Sequence, residues 1–181
     1  MNYNNKIKKY KFKNFTKISK QESKMVLKWR NHKKVRKWMV NKKTITFKQH
    51  EKFLKNLKTK KDSMYFLVSK NTQKIAVFTI NNIKNKKTKI GYIISPNLKN
   101  NAIFLEVIYY CLIFCFRHLK LNKIYGYSLK NNKSANFVNK QLHIKLQSYK
   151  SKYFYGYLSK KNWKTNVENN QKILNYLKLL K

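Results

Sequence analysis

Apolar and polar residues alternate loosely over Ile7–Phe15, and that period of two predicts a first strand. From Gln21 to Met39 the spacing turns helical, with a break near Asn31-His32. Phe47, His50, Phe53, Leu54 and Leu57 recur at helical spacing and predict a second helix over Phe47–Leu57, with Thr46 as its N-cap. Two β-rich runs, Met64–Ser69 and Lys74–Asn81, are joined through Asn71-Thr72-Gln73 and read as a hairpin. Asn82–Lys87 reads as a basic polar turn. Thr88–Ser95 is a further strand, stopped by Pro96. Asn100–Leu119 predicts the longest helix. It is followed by a strand over Lys123–Leu129, a short helix over Lys133–Gln141 behind the Asn131-Asn132 turn, strands over His143–Tyr149 and Tyr153–Leu158, and a closing amphipathic helix over Val167–Leu180. The pattern has no internal repeat and no linker, so it reads as one domain of the α/β (α+β) class.

Composition supports a folded chain. The 181 residues suffice for one sizeable core, and a hydrophobic fraction of 42% excludes a basic disordered tail. The formal charge of +39 invites a nucleic-acid reading, because dense Lys and Arg displace counterions from phosphate. Only Arg30, Arg36 and Arg117 are arginine, however, and the rest of the 44 basic residues are lysine. Base readout leans on arginine forks, and no nucleic-acid motif is present, so no specific nucleic-acid partner is expected. The surplus of Lys, Asn, Ile, Tyr and Phe reads as codon drift spread over solvated faces, which would still attract polyanionic ligands.

Cys111 and Cys115 lie four apart on one face of an apolar helix and read as small hydrophobes; neither a zinc site nor a disulfide is expected. The run Ala102–Phe116 is too short for a membrane span and is interrupted by Glu106, so it reads as a buried helix. Met1–Lys9 is polar and basic, unlike a secretory signal, and cytoplasm is the expected compartment.

The densest chemistry lies in Leu27–Met39, which holds two tryptophans, two arginines and a histidine. Arginine offers a fork of donors for phosphate and tryptophan a flat face for a ring, which suits a nucleotide-bearing ligand. The plainer alternative is a basic helix whose Leu27, Val35, Trp38 and Met39 pack a core. Further on, a strand ended by Pro96, a loop and a long helix would present backbone N–H groups to an anion such as a pyrophosphate.

Six runs follow one another in a telling order. They are Lys28-Trp29-Arg30-Asn31-His32, His50-Glu51-Lys52-Phe53, Tyr65-Phe66-Leu67-Val68, Ile90-Gly91-Tyr92, Pro96-Asn97-Leu98-Lys99 and Asn131-Asn132-Lys133-Ser134. Together they resemble the GNAT acyl-CoA N-acetyltransferases over roughly residues 8–158. Within that family the similarity is nearest to the branch that acetylates a UDP-linked 4-amino-4,6-dideoxy sugar on the pathway to pseudaminic acid, used to modify flagellin or surface glycans. The resemblance implies a GNAT domain over residues 1–160, a C-terminal helix over 161–181, and a mixed, mostly antiparallel sheet flanked by helices. It implies acetyl-CoA as co-substrate, a UDP-amino sugar as acceptor and no metal, and it allows a homodimer.

The resemblance also implies roles for residues. The acetyl-CoA loop maps onto Asn97-Leu98-Lys99-Asn100-Asn101-Ala102. Ala102 fits the family pattern, whereas Asn100 replaces a glycine and Asn97 a glutamine or arginine. Asn tolerates left-handed backbone, so the loop could keep its shape, with Lys99 supplying charge. Asn132 and Asn139 join Lys99, Asn100, Asn101 and Ala102 as implied cofactor contacts. Ile93 and Ile94 flank the acyl chain, and one of their N–H groups would face the acetyl carbonyl. Arg30, Trp38 and His50 are implied sugar-nucleotide contacts, although Trp38 also suits core packing and His50 a polar helix face. Many relatives carry a tyrosine acid where this chain has Val138. Tyr127 is the candidate replacement, with Ser128 beside it, and each is equally an ordinary sheet residue. None of Glu22, Glu51, Asp62, Glu106 and Glu168 suits the base, which leaves a water chain with Asn81 or Thr79. Two other readings remain: a GNAT enzyme acting on a protein N-terminus or other amine, and a non-enzymatic basic binder of RNA or membrane surfaces.

Overall fold

A computed structural model of the chain describes residues 10–98, 101–168 and 170–179. Its strands form one seven-stranded sheet in the order β1-β2-β3-β4-β5-β7-β6. The chain divides into two compact units, residues 10–82 with 91–98, and residues 83–90 with 101–179.

In the first unit β1 (Tyr10–Asn14) pairs antiparallel with β2 (Met64–Lys70), and β2 with β3 (Gln73–Lys84). Helix α1 (Lys20–Asn31) opens with a capping box. The Ser19 hydroxyl accepts the Glu22 N–H, and the Glu22 carboxylate accepts the Ser19 N–H at 2.9 Å. His32 has extended backbone and ends α1. Its Nδ1 accepts the Lys34 N–H and starts the single turn α2 (Lys33–Arg36). Helix α3 (Phe47–Leu57) repeats the box with Thr46 and Gln49. Phe15, Val26, Trp29, Leu57, Leu67 and Val77 form the buried core of this unit. Strand β4 (Lys87–Ile94) crosses the unit boundary; within the first unit the Ser95 N–H just beyond it reaches the Ile75 carbonyl at 2.8 Å.

The second unit is built on α4 (Asn101–Ile113), whose side chains are apolar almost all round, as a buried helix requires. A π-helical turn, Phe114–His118, continues it. Strand β5 (Lys123–Leu129) pairs parallel with β4 and antiparallel with β7 (Tyr153–Ser159), which pairs with β6 (Lys145–Tyr149). Helix α5 (Lys133–Gln141) lies between β5 and β6 in sequence. After β7 come α6 (Lys160–Trp163), a second π-helical turn over Lys164–Glu168, and α7 (Gln171–Leu179). Cys111 and Cys115 are buried free thiols, as the pattern predicts, and burial pushes both thiol pKa values up. Glu106 is buried on the same helix. No helix of the described residues is long and apolar enough to cross a membrane.

Several expected boundaries move for local reasons. The turn predicted at Asn82–Lys87 is strand up to Lys84, because Asn85 and Lys86 both take positive φ (50° and 56°) and close the hairpin in two residues. The helix expected to reach Met39 stops at Arg36, where the chain leaves in tight turns. The helix expected to reach Leu119 changes to π geometry at Phe114. Strand β6 starts at Lys145 and not at His143, whose φ of 49° belongs to the turn after α5. The closing helix expected from Val167 begins at Gln171: Val167 is buried in the π turn, and the Asn170 side chain accepts the Ile173 N–H, restarting the helix. Residues 7–9 of the expected first strand lie outside the described residues.

Candidate functional site

Arg30 sits on the last turn of α1. Its Nη2 donates to the Asn41 carbonyl at 2.6 Å, while its Nη1 is buried without a hydrogen-bond partner. Asn31 beside it holds Ile45 through both backbone groups, at 2.8 and 2.9 Å. The last residues of α1 therefore fasten the segment 41–45, and Arg30 faces that segment with half of its fork unmet. Burial, with the nearby Arg36 charge, lowers the Arg30 pKa, and a buried guanidinium N–H is a strong recruiter of an anionic acceptor. Trp38 is half-buried, with the Lys37 ammonium 4.7 Å from its ring centre.

His50 lies on the buried face of α3, 6% exposed, which sets aside the plainer alternative of a polar helix face. Its Nε2 is buried and unpartnered, so the ring's hydrogen bond to the Ser23 backbone runs from Nδ1. That bond fixes the tautomer and leaves Nε2 an acceptor. Burial lowers the His50 pKa, outweighing the Ser23 bond and the Glu51 charge, so the ring stays neutral at pH 7. Ser23 and Arg30 are seven residues apart on α1 and share a face, about 10 Å apart along the axis.

A chain of contacts runs on from His50. Its ring stacks on Phe53 (6.1 Å between centres), and Phe53 meets Tyr65 edge-on at 5.0 Å. Tyr65 is hydrogen-bonded to Asn81, whose amide donates to Thr79 Oγ1 at 3.3 Å; Thr79 Oγ1 donates to the Gly91 carbonyl at 3.2 Å. Burial raises the Tyr65 pKa against the opposing Asn81 bond, so the phenol keeps its proton. Ile93 and Tyr65 both pack against the core of this unit. Gly91 is required here, since a Cβ would stand 2.9 Å from Thr79 Oγ1. The sequence reading named Thr79 and Asn81 but gave Tyr65 no role. The register that sets Tyr65 opposite Thr79 was the missing signal, and it depends on the bulge between Val68 and Ser69, because the turn at Asn71 alone would set Tyr65 opposite Phe78.

The remaining candidates belong to the second unit or to its edge. Tyr127 is 41% exposed, its ring 5.0 Å from Tyr149 and 5.5 Å from Tyr155. Ser128 is committed elsewhere, donating to Asn136 Oδ1 at 2.7 Å. Asn136, which the sequence reading passed over, also donates to the Leu129 and Lys130 carbonyls and ties α5 to the end of β5. Asn132 caps α5 through the Ala135 N–H, Asn139 is buried, and so is Val138. Ile94 is half-buried at the end of β4. Of the expected acetyl-CoA loop, Lys99 and Asn100 lie outside the described residues, and of Asn101 and Ala102 only the backbone is described. The parallel ladder of β4 and β5 holds three pairs, from Lys87↔Lys123 to Lys89↔Tyr125, although β5 runs on to Leu129. Among the described residues there is no cluster of metal-ligating side chains.

Comparison with known proteins decides the family. Residues 14–145 match the acetyltransferase (GNAT) domain. The chain belongs to the GNAT acetyltransferase family. Like that family it is an acetyl-CoA-dependent N-acetyltransferase with a mixed, mostly antiparallel sheet flanked by helices. It is 33% identical over 135 residues to the acetyltransferase PseH of Campylobacter jejuni strain 81-176, covering 74% of this chain and 83% of that protein. The crystal structure of Campylobacter jejuni PseH in complex with acetyl coenzyme A is similar at a TM-score of 0.68 and 31% identity, covering 83% of this GNAT chain and 98% of that one. Spermidine N-acetyltransferase from Vibrio cholerae shares the fold alone, with a TM-score of 0.77 at 12% identity over 86% of this chain and 98% of its own.

Proposed function

We propose that the chain transfers the acetyl group of acetyl-CoA to the 4-amino group of a UDP-linked 4-amino-4,6-dideoxy sugar, on the cytoplasmic pathway to pseudaminic acid. The observation that carries this reading is the unmet Nη1 of Arg30. A buried cationic donor with no protein partner suits a diphosphate, and the neighbouring chemistry suits the rest of such a ligand. His50 Nε2 accepts a donor from the uridine, and Trp38 supplies a flat apolar wall. The similarity to PseH supports the same acceptor.

Acetyl-CoA supplies the acetyl thioester. The reaction forms a C–N bond at the acetyl carbonyl and breaks the C–S bond, and the proton lost by the amine is balanced by one gained at sulfur. Backbone N–H groups at Ile93 and Ile94 are assigned to the carbonyl oxygen, where developing charge needs a donor. Asn81, held between Tyr65 and Thr79, orients the amine, and the amine proton leaves through water along that polar chain. Tyr127 is assigned the proton that neutralises the thiolate; Val138 has none to give. Asn132, Asn139 and the loop Lys99-Asn100-Asn101-Ala102 are assigned to the carrier.

The test is release of free CoA thiol by the purified chain with acetyl-CoA and the UDP-4-amino sugar. Turnover should depend on the amino sugar. Arg30→Ala should raise its KM about tenfold or more while moving kcat less, as loss of a charge-assisted bond made in both ground and transition states does. Equal turnover with N-terminal peptides or simple amines, or an unchanged KM in the Arg30 variant, would overturn the assignment.

A further inference from the structure

The sheet strands of the second unit carry a feature of which acyl transfer, as proposed above, uses Tyr127 alone. Along β5 and β7 the residues Ile124 and Leu158 are buried, so that face is packed. By the period of two, the opposite face carries Tyr125, Tyr127, Tyr155 and Tyr157, and β6 adds Tyr149. The rings touch in series. Tyr125 lies 6.0 Å from Tyr155, Tyr155 lies 5.7 Å from Tyr157 and 5.5 Å from Tyr127, and Tyr127 lies 5.0 Å from Tyr149. Three lysines stand over this plate: Lys123 at 4.5 Å from Tyr157, Lys89 at 5.3 Å from Tyr127, and Lys150 at 5.6 Å from Tyr149. None of the five rings is fully buried, and Tyr127 and Tyr149 are 41% and 40% exposed. Neither β5, β6 nor β7 contains an aspartate or glutamate. Burial and the surrounding phenols raise the Tyr155 pKa, so the plate adds no negative charge of its own.

An exposed sheet face is ordinarily lined with small polar and charged residues of both signs. Contiguous aromatic rings with cations alone around them complement a ligand that carries planar rings and negative charge together. A second copy of the chain fits poorly, since each copy bears +39 and the face would meet like charge. A duplex offers phosphates but hides its ring faces. We propose that this tyrosine-lysine face binds single-stranded nucleic acid without sequence preference, its bases stacking on the tyrosines while Lys89, Lys123 and Lys150 turn to the phosphates. Stacking on a π-face accepts every base, and lysines act as point charges, so affinity arises without base readout.

Fluorescence anisotropy of the full chain with a labelled single-stranded uridine 12-mer tests this. Duplex RNA of equal length, polyphosphate of matched charge and free UDP serve as competitors. The single strand should bind at least about tenfold more tightly than the duplex. The double variant Tyr149→Ala/Tyr157→Ala should weaken it by about tenfold or more, and Tyr149→Phe/Tyr157→Phe, which keeps both rings, should bind like the parent. Melting of the three proteins checks that folding is intact, and the phenylalanine pair keeps the result interpretable if the alanine pair unfolds. Equal displacement by polyphosphate, affinity unchanged in a folded alanine variant, or loss of binding in the phenylalanine variant would overturn the proposal. Displacement by UDP at concentrations comparable to the strand would also overturn it, since a mononucleotide would then be the ligand.

Discussion

His50 shows how one buried side chain can combine a proposed binding role with a stability cost. Its pKa is held below the ordinary 6.5 chiefly by burial, so as pH falls the unfolded chain takes up the proton first. Stability linked to this ring is therefore complete above pH 6.5 and declines below it, until the folded ring protonates too. The slope is at most about 1.4 kcal/mol per pH unit. Urea unfolding at pH 7.5 and 5.5 should show this loss in the parent and much less of it in His50→Gln; an equal loss in both would place the titration elsewhere. Glu22 and Glu168 act in a separate, more acidic window. Burial tends to raise both carboxyls, but bonds from Lys13 and Ser19 to Glu22, and from Arg117 and Trp163 to Glu168, hold both below the ordinary 4.5. Arg30 and Trp38 were legible as candidates because their residue types carry the chemistry, and His50 because the family resemblance implies it. Their environment was not legible. The unmet Nη1 and Nε2 depend on where Asn41 and Ser23 fall, which no periodicity states. Tyr65 escaped notice for the same reason, since a tyrosine in a strand looks like any sheet residue until its partner across the ladder is known.

The elements that came through cleanly are those whose ends are chemically marked. Helix α3 begins where Thr46 and Gln49 cap each other and ends where the apolar spacing ends, so the predicted Phe47–Leu57 is the observed span. Thr46→Ala removes the acceptor for the Gln49 N–H, and it should lower stability by about 1 kcal/mol, measured as a shift of the urea midpoint. If the proposed acceptor is right, then because α3 carries both His50 and Phe53 the same substitution should raise the KM for the UDP-amino sugar more than that for acetyl-CoA. No loss of stability would mean that packing of Leu57 alone fixes the helix. Where ends are unmarked, prediction drifted. The run from Asn100 to Leu119 is apolar through the point where α-helix gives way to the π turn at Phe114, and a change of hydrogen-bond partner leaves no trace in hydropathy. The same holds at Lys164–Glu168, where a buried Val167 mimics the start of a helix. The tight hairpin at Asn85-Lys86 was hidden in a run of polar residues, because Asn is common throughout the chain and loses its value as a turn signal.

At the scale of the whole molecule the governing quantity is charge. Five carboxylates cannot neutralise 44 basic side chains, and Glu106 is buried in α4. The ion pairs seen are local: Lys13 and Glu22 at 2.6 Å, Lys74 and Glu22 at 4.0 Å, Arg117 and Glu168 at 2.6 Å. Salt acts on both sides of this balance. It weakens these pairs, each worth about 1 kcal/mol or less at a surface, and it relieves repulsion among the excess cations. The repulsion extends over the whole surface at about 0.01 M salt, where the screening length is about 30 Å, and shrinks to near neighbours at about 0.15 M, where it is about 8 Å. With five carboxylates against 44 basic side chains, relief should win. The melting temperature should rise between those two salt concentrations, by about 2–4 °C for each 1 kcal/mol gained in a chain of this size. A compact state self-repels more than an expanded one, so the direction follows from the net charge alone and needs no particular contact. A flat or falling melting temperature in sodium chloride would mean that the lysines are spaced widely enough to ignore one another, and the charge would then act only on incoming ligands.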